Sequence, residues 1–141
     1  MTLRAEIVSP LKRHIDQDVD MVVVPGTEGN IAAMPGRSPV MLQLRGGIVT
    51  LYKDDQVVAR LFISGGFVDM TSDRCTILAD SVRALEDLSP DDARQRLDQL
   101  EAQWSHVGPG EYHENDSLTL QIQSVRAEIE AGEEFAKGGF N

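Results

Sequence analysis

Apolar and polar residues alternate along the first half of the chain with the period of two that is typical of β-strands. Residues 57–63 are apolar almost throughout, which predicts a central strand covered on both sides. Short turns rich in Gly, Pro and Asp, such as Asp54-Asp55, separate these segments, so the pattern predicts an all-β sandwich or barrel. The clearest alternating apolar sets are Leu3, Ala5 and Ile7, then Val40, Leu42 and Leu44, and finally Cys75, Ile77 and Ala79.

The spacing changes near Asp87 to that of amphipathic helices. Residues 89–92 (Ser-Pro-Asp-Asp) predict a helix start, because the serine can cap, the proline fits the first helical position and the carboxylates meet the positive helix end. A stop is predicted at residues 107–110, and Gly132 is expected to end a second helix in a left-handed conformation. The apolar stripes of the two helices are Ala93, Leu97, Leu100 and Trp104, followed by Leu118, Ile122, Val125 and Ile129.

Two matched stripes joined by a short polar loop predict an antiparallel helical hairpin. We therefore expect two parts, a β-sandwich or barrel over residues 1–87 and a hairpin over residues 88–141. The first part has twelve acidic and nine basic residues, a net charge of −3, and the second has eleven and four, a net charge of −7. This balance argues against binding to nucleic acid or to an anionic membrane surface and favours protein partners.

The composition is that of a protein folded in water. The chain has 141 residues, 41% of them hydrophobic, and its longest apolar runs are too short to cross a bilayer. The start of the chain does not have the pattern of a secretion signal, and a lone cysteine gives no internal disulfide, so a cytoplasmic location is expected.

The sequence gives no pattern for catalysis or for a metal site. Cys75 lies in a strand pattern on the same side as Ile77, which favours a buried apolar role over a reactive thiol. The histidines have no metal-ligand spacing, and the serines have no nucleophile context. We therefore predict a protein that is not an enzyme, with no catalytic residues, no metal and no required cofactor.

Several short motifs follow one another in the β half. They are residues 8–10 (VSP), 24–29 (VPGTEG), 33–39 (AMPGRSP), 44–48 (LRGGI), 63–68 (ISGGFV) and 77–80 (ILAD). In this order, and ahead of a helical hairpin, they resemble the epsilon subunit of bacterial F-type ATP synthase.

The resemblance implies a ten-stranded β-sandwich followed by two helices, in a non-catalytic subunit of the rotor. Such a subunit binds the gamma subunit and the ring of c subunits, and it helps to couple proton flow to ATP synthesis at the cytoplasmic face of the bacterial inner membrane. In many members the hairpin also opens toward the catalytic head of alpha and beta subunits and blocks ATP hydrolysis. Here residues 116–141 have five acidic and two basic side chains, so weak or no inhibition is expected.

The resemblance also implies where partners bind. Arg37 stands where the family often has histidine and is expected to contact gamma. Gly26, Gly29 and Gly36 are expected to adopt positive φ and to shape tight, rigid loops. The loop that meets the c ring corresponds to Thr27, Glu28, Gly29 and Asn30, the last at a position where an acidic residue is often found.

Some members of the family bind ATP through a motif at the start of the first helix. Asp91 and Arg94 match that motif, whereas Pro90 and Gln95 depart from it, so weak nucleotide contact at most is expected. Helix-dipole stabilisation by Asp91 explains that match without a nucleotide. The alternative function is a free-standing β-sandwich binding module whose hairpin dimerises, and a small hydrolase is a third.

Overall fold

The computed structural model describes residues 2–105 and 116–139. Ten strands are followed by two helices, as the resemblance implies. The elements are β1 (Leu3–Val8), β2 (Arg13–Val19), β3 (Met21–Gly26), β4 (Gly29–Ala33), β5 (Val40–Leu44), β6 (Gly47–Lys53), β7 (Gln56–Ile63), β8 (Gly66–Met70), β9 (Arg74–Ala79), β10 (Val82–Ala84), a short 3₁₀ helix (Leu85–Asp87), α1 (Pro90–Trp104) and α2 (Asp116–Ala136).

The strands form one continuous sheet that folds over on itself. Its order is β10-β7-β6-β3-β5-β8-β9-β1-β2, with β4 also paired to β3. Residues 21–23 of β3 pair with β6, while Gly26 at the end of the same strand pairs with β5, so β3 passes from one layer to the other. All pairs are antiparallel except β1 with β9. The predicted sandwich is confirmed.

The core between the layers comes from the alternating positions. The inward side chains of β1 and β9 are almost fully buried, together with residues of β2, β3 and β6. This confirms the period-two prediction, since one face of each strand packs inward and the other faces out. The predicted inward residues of these two strands are Leu3, Ala5 and Ile7, then Cys75, Ile77 and Ala79.

The hairpin between β6 and β7 confirms one turn and corrects one strand. Asp54 and Asp55 have φ of +54° and +63°, as a tight two-residue turn between twisted strands requires. The expectation that residues 57–63 are covered on both sides is wrong for the first half of β7, where Val57 and Val58 are 37% and 47% exposed. Only the end of β7 has a cover on its outer face, because α2 packs there.

The helices form the predicted antiparallel hairpin. The Ser89 hydroxyl accepts a hydrogen bond from the Asp92 N–H at 3.3 Å, with Pro90 at the first helical position. The beginning of α1 lies beside the end of α2, as the ion pair between Arg94 and Glu133 shows. The stop predicted at residues 107–110 lies outside the described residues. Within residues 2–105 and 116–139, no helix is long and apolar enough to cross a membrane.

The prediction that Gly132 ends a helix is wrong. Gly132 is buried inside α2, which continues to Ala136. A Cβ atom there would lie 2.9 Å from the Cγ atom of Pro90. The glycine therefore allows the start of α1 to pack closely against α2.

Candidate partner-binding surfaces

The residues predicted to meet the c ring lie at the tip of the β3–β4 hairpin. Thr27 and Glu28 form the turn, and with Asn30 they are exposed. The Thr27 N–H donates to the Gln43 carbonyl at 3.2 Å, and Arg45 Nε donates to the Gly26 carbonyl at 3.1 Å. Because both bonds join the turn to β5 and its following loop, this tip is an exposed corner on a rigid support.

The glycines of this region have different roles. Gly29 has φ of +134° and Gly36 has φ of +87°, which confirms the predicted positive φ at both. A Cβ atom at either would meet nothing within 4 Å, so only the backbone conformation requires glycine there. The same prediction is wrong for Gly26, which lies in β3 and does not have a positive φ. A Cβ on Gly26 would approach the Gly29 carbonyl oxygen to 2.8 Å, so the close hairpin requires that glycine.

Arg37 lies apart from this tip, in the loop after the other end of β4. Its Nη1 donates to the Ala32 carbonyl at 2.9 Å and approaches Met70 Sδ at 3.6 Å. Its Nε is buried without a hydrogen-bond partner among the described residues. The nearby Gly36 N–H donates to the Ser72 carbonyl at 2.7 Å, so this loop is attached to the β8–β9 turn. The structure therefore holds the two predicted partner sites at opposite ends of β4.

Asp91 and Arg94 lie together on the first turns of α1. Arg94 Nη1 donates to Asp91 Oδ1 at 3.0 Å, and its Nη2 bonds to Glu133 on α2. The guanidinium thus already has two carboxylate partners that join the ends of the hairpin. An anionic ligand at Arg94 would compete with both of them.

Gln123, which sequence reasoning missed, joins α2 to the β5–β6 turn through its side-chain amide. Its Oε1 accepts from the Gly46 N–H and its Nε2 donates to the Gly46 carbonyl, both at 2.9 Å. A Cβ atom at Gly46 would lie 2.6 Å from the Cα atom of Ser124, so the glycine lets the helix backbone reach the β5–β6 turn. Nothing in the local pattern distinguishes Gln123 from an exposed glutamine.

A second missed group is a charged cluster around Glu128. This carboxylate is 5% exposed, and its Oε1 lies 3.2 Å from Arg83 Nη1 of β10, while its Oε2 pairs with Arg96 of α1. The cluster joins the sheet and both helices. One signal was present in the sequence, since Glu128 follows Val125 of the predicted apolar stripe by three positions, a spacing that places both on one side of a helix.

Trp104 borders an open groove of about 580 Å³ with Arg45 and Ile122. It is 39% exposed, so the predicted packing role is only partly met. The groove extends along α2 to Arg126, which pairs with Glu101 at 2.9 Å.

Cys75 is buried, as predicted, and desolvation raises its pKa to about 12, with Asp69 adding to the rise and Arg37 opposing it. A thiol with that pKa is protonated and inert near neutral pH. Among the residues that the structure describes, no cluster of three His, Cys, Asp or Glu side chains is arranged to hold a metal ion.

Comparison with known proteins agrees with the architecture. A family model described as the β-sandwich domain of the ATP synthase delta/epsilon chain matches residues 2–84. The ATP synthase epsilon chain of Gluconacetobacter diazotrophicus is 50% identical over 131 residues, which cover 93% of each chain. The chain belongs to the ATP synthase epsilon family. The epsilon chain of Granulibacter bethesdensis is 41% identical over 126 residues, or 89% of this chain and 93% of the relative.

Two solved structures share this epsilon-family fold. One is described as the OSCP/F1/c-ring part of the Euglena gracilis mitochondrial ATP synthase, and its matching chain has a TM-score of 0.68 at 17% identity, with 96% of this chain and 81% of that chain covered. The other, the central stalk/c-ring part of the Tetrahymena thermophila enzyme, has a TM-score of 0.66 at 12% identity and covers 94% and 97%. Epsilon chains are structural subunits of ATP synthase, so the prediction of a protein without catalytic activity is confirmed.

Proposed function

We propose that this chain is a central-stalk subunit that links the gamma subunit to the c ring and helps to couple proton flow to ATP synthesis. The observation that carries the proposal is the 50% identity to an epsilon chain over 93% of both proteins. The two structural neighbours support it, because both belong to parts of ATP synthases that include the c ring, and one of these parts is the central stalk with the c ring. The proposed location is the cytoplasmic face of the bacterial inner membrane, where the chain is held through the complex.

The β-sandwich, over residues 1–87, is proposed to make the rotor contacts. The exposed β3–β4 tip, with Glu28 and Asn30 at its surface, is assigned to the c ring. The loop around Arg37 is assigned to gamma. Their attachment to opposite ends of one short strand of the packed sandwich supports a role in transmitting torque, because a close-packed protein interior has low compressibility and transmits strain.

The hairpin, over residues 88–141, is proposed to regulate weakly or not at all. Arg94, Arg96 and Arg126 each pair with a carboxylate on the opposite helix. Few basic groups therefore remain to meet acidic surfaces of a catalytic head. With Arg94 held by two carboxylates, ATP binding at the Asp91 turn is expected to be weak.

The proposal is tested by expressing the tagged chain in its own cells in place of the native subunit. We expect gamma, c-ring and catalytic-head subunits to co-purify under mild detergent conditions. Absence of gamma, with the tagged chain folded and expressed, would overturn the proposal.

Variants then separate the two surfaces. E28A/N30A should lower proton-driven ATP synthesis in inverted membrane vesicles while gamma still co-purifies, and R37A should weaken gamma retention. Q56A, an exposed change on the distant β6–β7 hairpin, is the matched control and should change neither measurement.

A further inference from the structure

The contact between α2 and the sheet is built from small and polar side chains. Ser124, Ala127 and Ala131 lie on this side of α2, with Ala127 and Ala131 against the patch formed by Phe62 and Leu85. Alanine methyl groups allow close approach but remove little apolar surface from water compared with leucine or isoleucine. Most of the apolar surface buried in this contact therefore comes from Phe62 and Leu85 on the sheet side, and polar groups make up the rest of the seam.

Glu128 makes the charged contacts of this seam, while Gln123 of the same helix makes neutral hydrogen bonds to Gly46. Its side chain is nearly buried, whereas both of its arginine partners, Arg83 and Arg96, are partly exposed. Arg83 is itself positioned by a hydrogen bond from its Nη2 to the Asp87 carbonyl at 2.8 Å. A buried carboxylate between two cations is stabilised by both, and removing the charge leaves two guanidinium groups facing one another across the seam.

The other bridges of the hairpin differ from this cluster in two respects. Arg94–Glu133 and Arg126–Glu101 join α1 to α2 and do not include the sheet. Their side chains are also more exposed than Glu128, so they resemble ordinary surface ion pairs. Arg83 extends the Glu128 cluster into β10.

We propose that Glu128 is a latch that holds the hairpin on the sheet, and that the Arg83–Glu128–Arg96 cluster sets the equilibrium between docked and released hairpin. Neutralising Glu128 releases both helices together and leaves the sheet folded. This proposal concerns the isolated chain and does not rest on the proposed function, so either one can fail without the other.

The test is hydrogen exchange of the full chain with E128Q, a change that keeps the side-chain shape and removes the charge. A released two-helix hairpin is marginal on its own, so its amides exchange quickly once it leaves the sheet. We expect exchange of α1 and α2 amides to rise at least about tenfold, from the loss of charged hydrogen bonds. Exchange within β1, β8 and β9 should stay unchanged.

E101Q is the matched control. It makes the same chemical change in another interhelical bridge that does not reach the sheet. We expect less than about a threefold rise in helix exchange, as for a surface pair. An equal rise in helix exchange in E101Q and E128Q would overturn the latch, because any interhelical ion pair would then hold the hairpin equally well.

The contact between Glu128 and Arg83 of β10 is tested with R83M. On its own it should raise exchange in both helices. In the E128Q background, the double variant R83M/E128Q should match E128Q to within about twofold, the usual margin of additivity. If the effects of R83M and E128Q on helix exchange add fully in the double variant, Arg83 acts only through the Asp87 carbonyl. That result would overturn the proposal. If E128Q does not fold, R83M and R96M decide: unchanged helix exchange in both would refute the latch.

Trp104 provides a second readout, because it is the only tryptophan and it lines the same groove as Ile122 of α2. E128Q should shift its fluorescence emission to longer wavelength and E101Q should not. An unshifted emission together with unchanged helix exchange in E128Q would refute the latch.

Discussion

The sandwich should fold and bind gamma when the chain ends at Asp87, although with lower stability. Its two-layer core lies wholly within the strands, and α2 covers only a patch on the outer face. The two principal residues of that patch are Phe62, at 1% exposure, and Leu85, at 6%. Truncation therefore exposes a limited apolar surface without opening the main core.

The structure gives a magnitude for this loss. Fully burying a Phe or Leu side chain contributes about 1.5–3 kcal/mol, and part of each side chain stays covered by the sheet. We therefore expect truncation to reduce the free energy of unfolding by about 2–4 kcal/mol. Domains are stable by about 5–15 kcal/mol, so the shortened chain should remain folded. One kcal/mol moves the melting temperature of a small domain by several degrees, so the expected fall is about 10–20 °C.

Thermal melting followed by circular dichroism measures this fall, and a pull-down measures gamma binding. Phe62→Ala in the full chain should cost about 3–5 kcal/mol, because it leaves a cavity under α2. In the truncated chain the same change should cost clearly less. Val57→Ala, at the exposed end of β7, should have equal effects in both chains. If Phe62→Ala lowers the free energy of unfolding equally in both chains, α2 does not cover Phe62. If the truncated chain shows no cooperative melting transition, the sandwich does not fold on its own.

Three further predictions follow from the same structure. Gly29→Val and Gly36→Val should each lower the free energy of unfolding by about 1–3 kcal/mol through backbone strain alone, and unchanged denaturation midpoints would contradict this. Reconstituted complexes with the full chain and with a chain ending at Asp87 should hydrolyse ATP at nearly equal rates. A tenfold rise on truncation, about 1.4 kcal/mol of lost inhibition, would contradict the proposal of a weakly regulating hairpin. Because burial raises the Cys75 pKa to about 12, a thiol reagent at about pH 8 should label the denatured chain and leave the native chain unlabelled; rapid native labelling, read by mass spectrometry, would show an accessible thiolate.

The local pattern of apolar and polar residues was sufficient to predict the strands and the two helices of this protein. Inward residues of β1 and β9, the Ser89 cap and the seam of the hairpin all follow from periods of two and of about 3.6 along the chain. These features depend on neighbours a few positions away, so the order of side chains fixes them. The resemblance of ordered motifs such as residues 24–29 to the epsilon family was equally local, and the comparisons confirm it.

Tertiary contacts decided the features that pattern reasoning missed. The helix continues through Gly132, where the Pro90 ring leaves no room for a side chain, and the exposure of Val57 depends on how far α2 reaches over β7. Glu128 and Gln123 meet their partners only in the fold, because Arg83 of β10 and Gly46 of the β5–β6 turn lie far away from them in the sequence. A polar side chain has the same local pattern whether water or a distant partner satisfies it, so only the fold determines which of the two it meets.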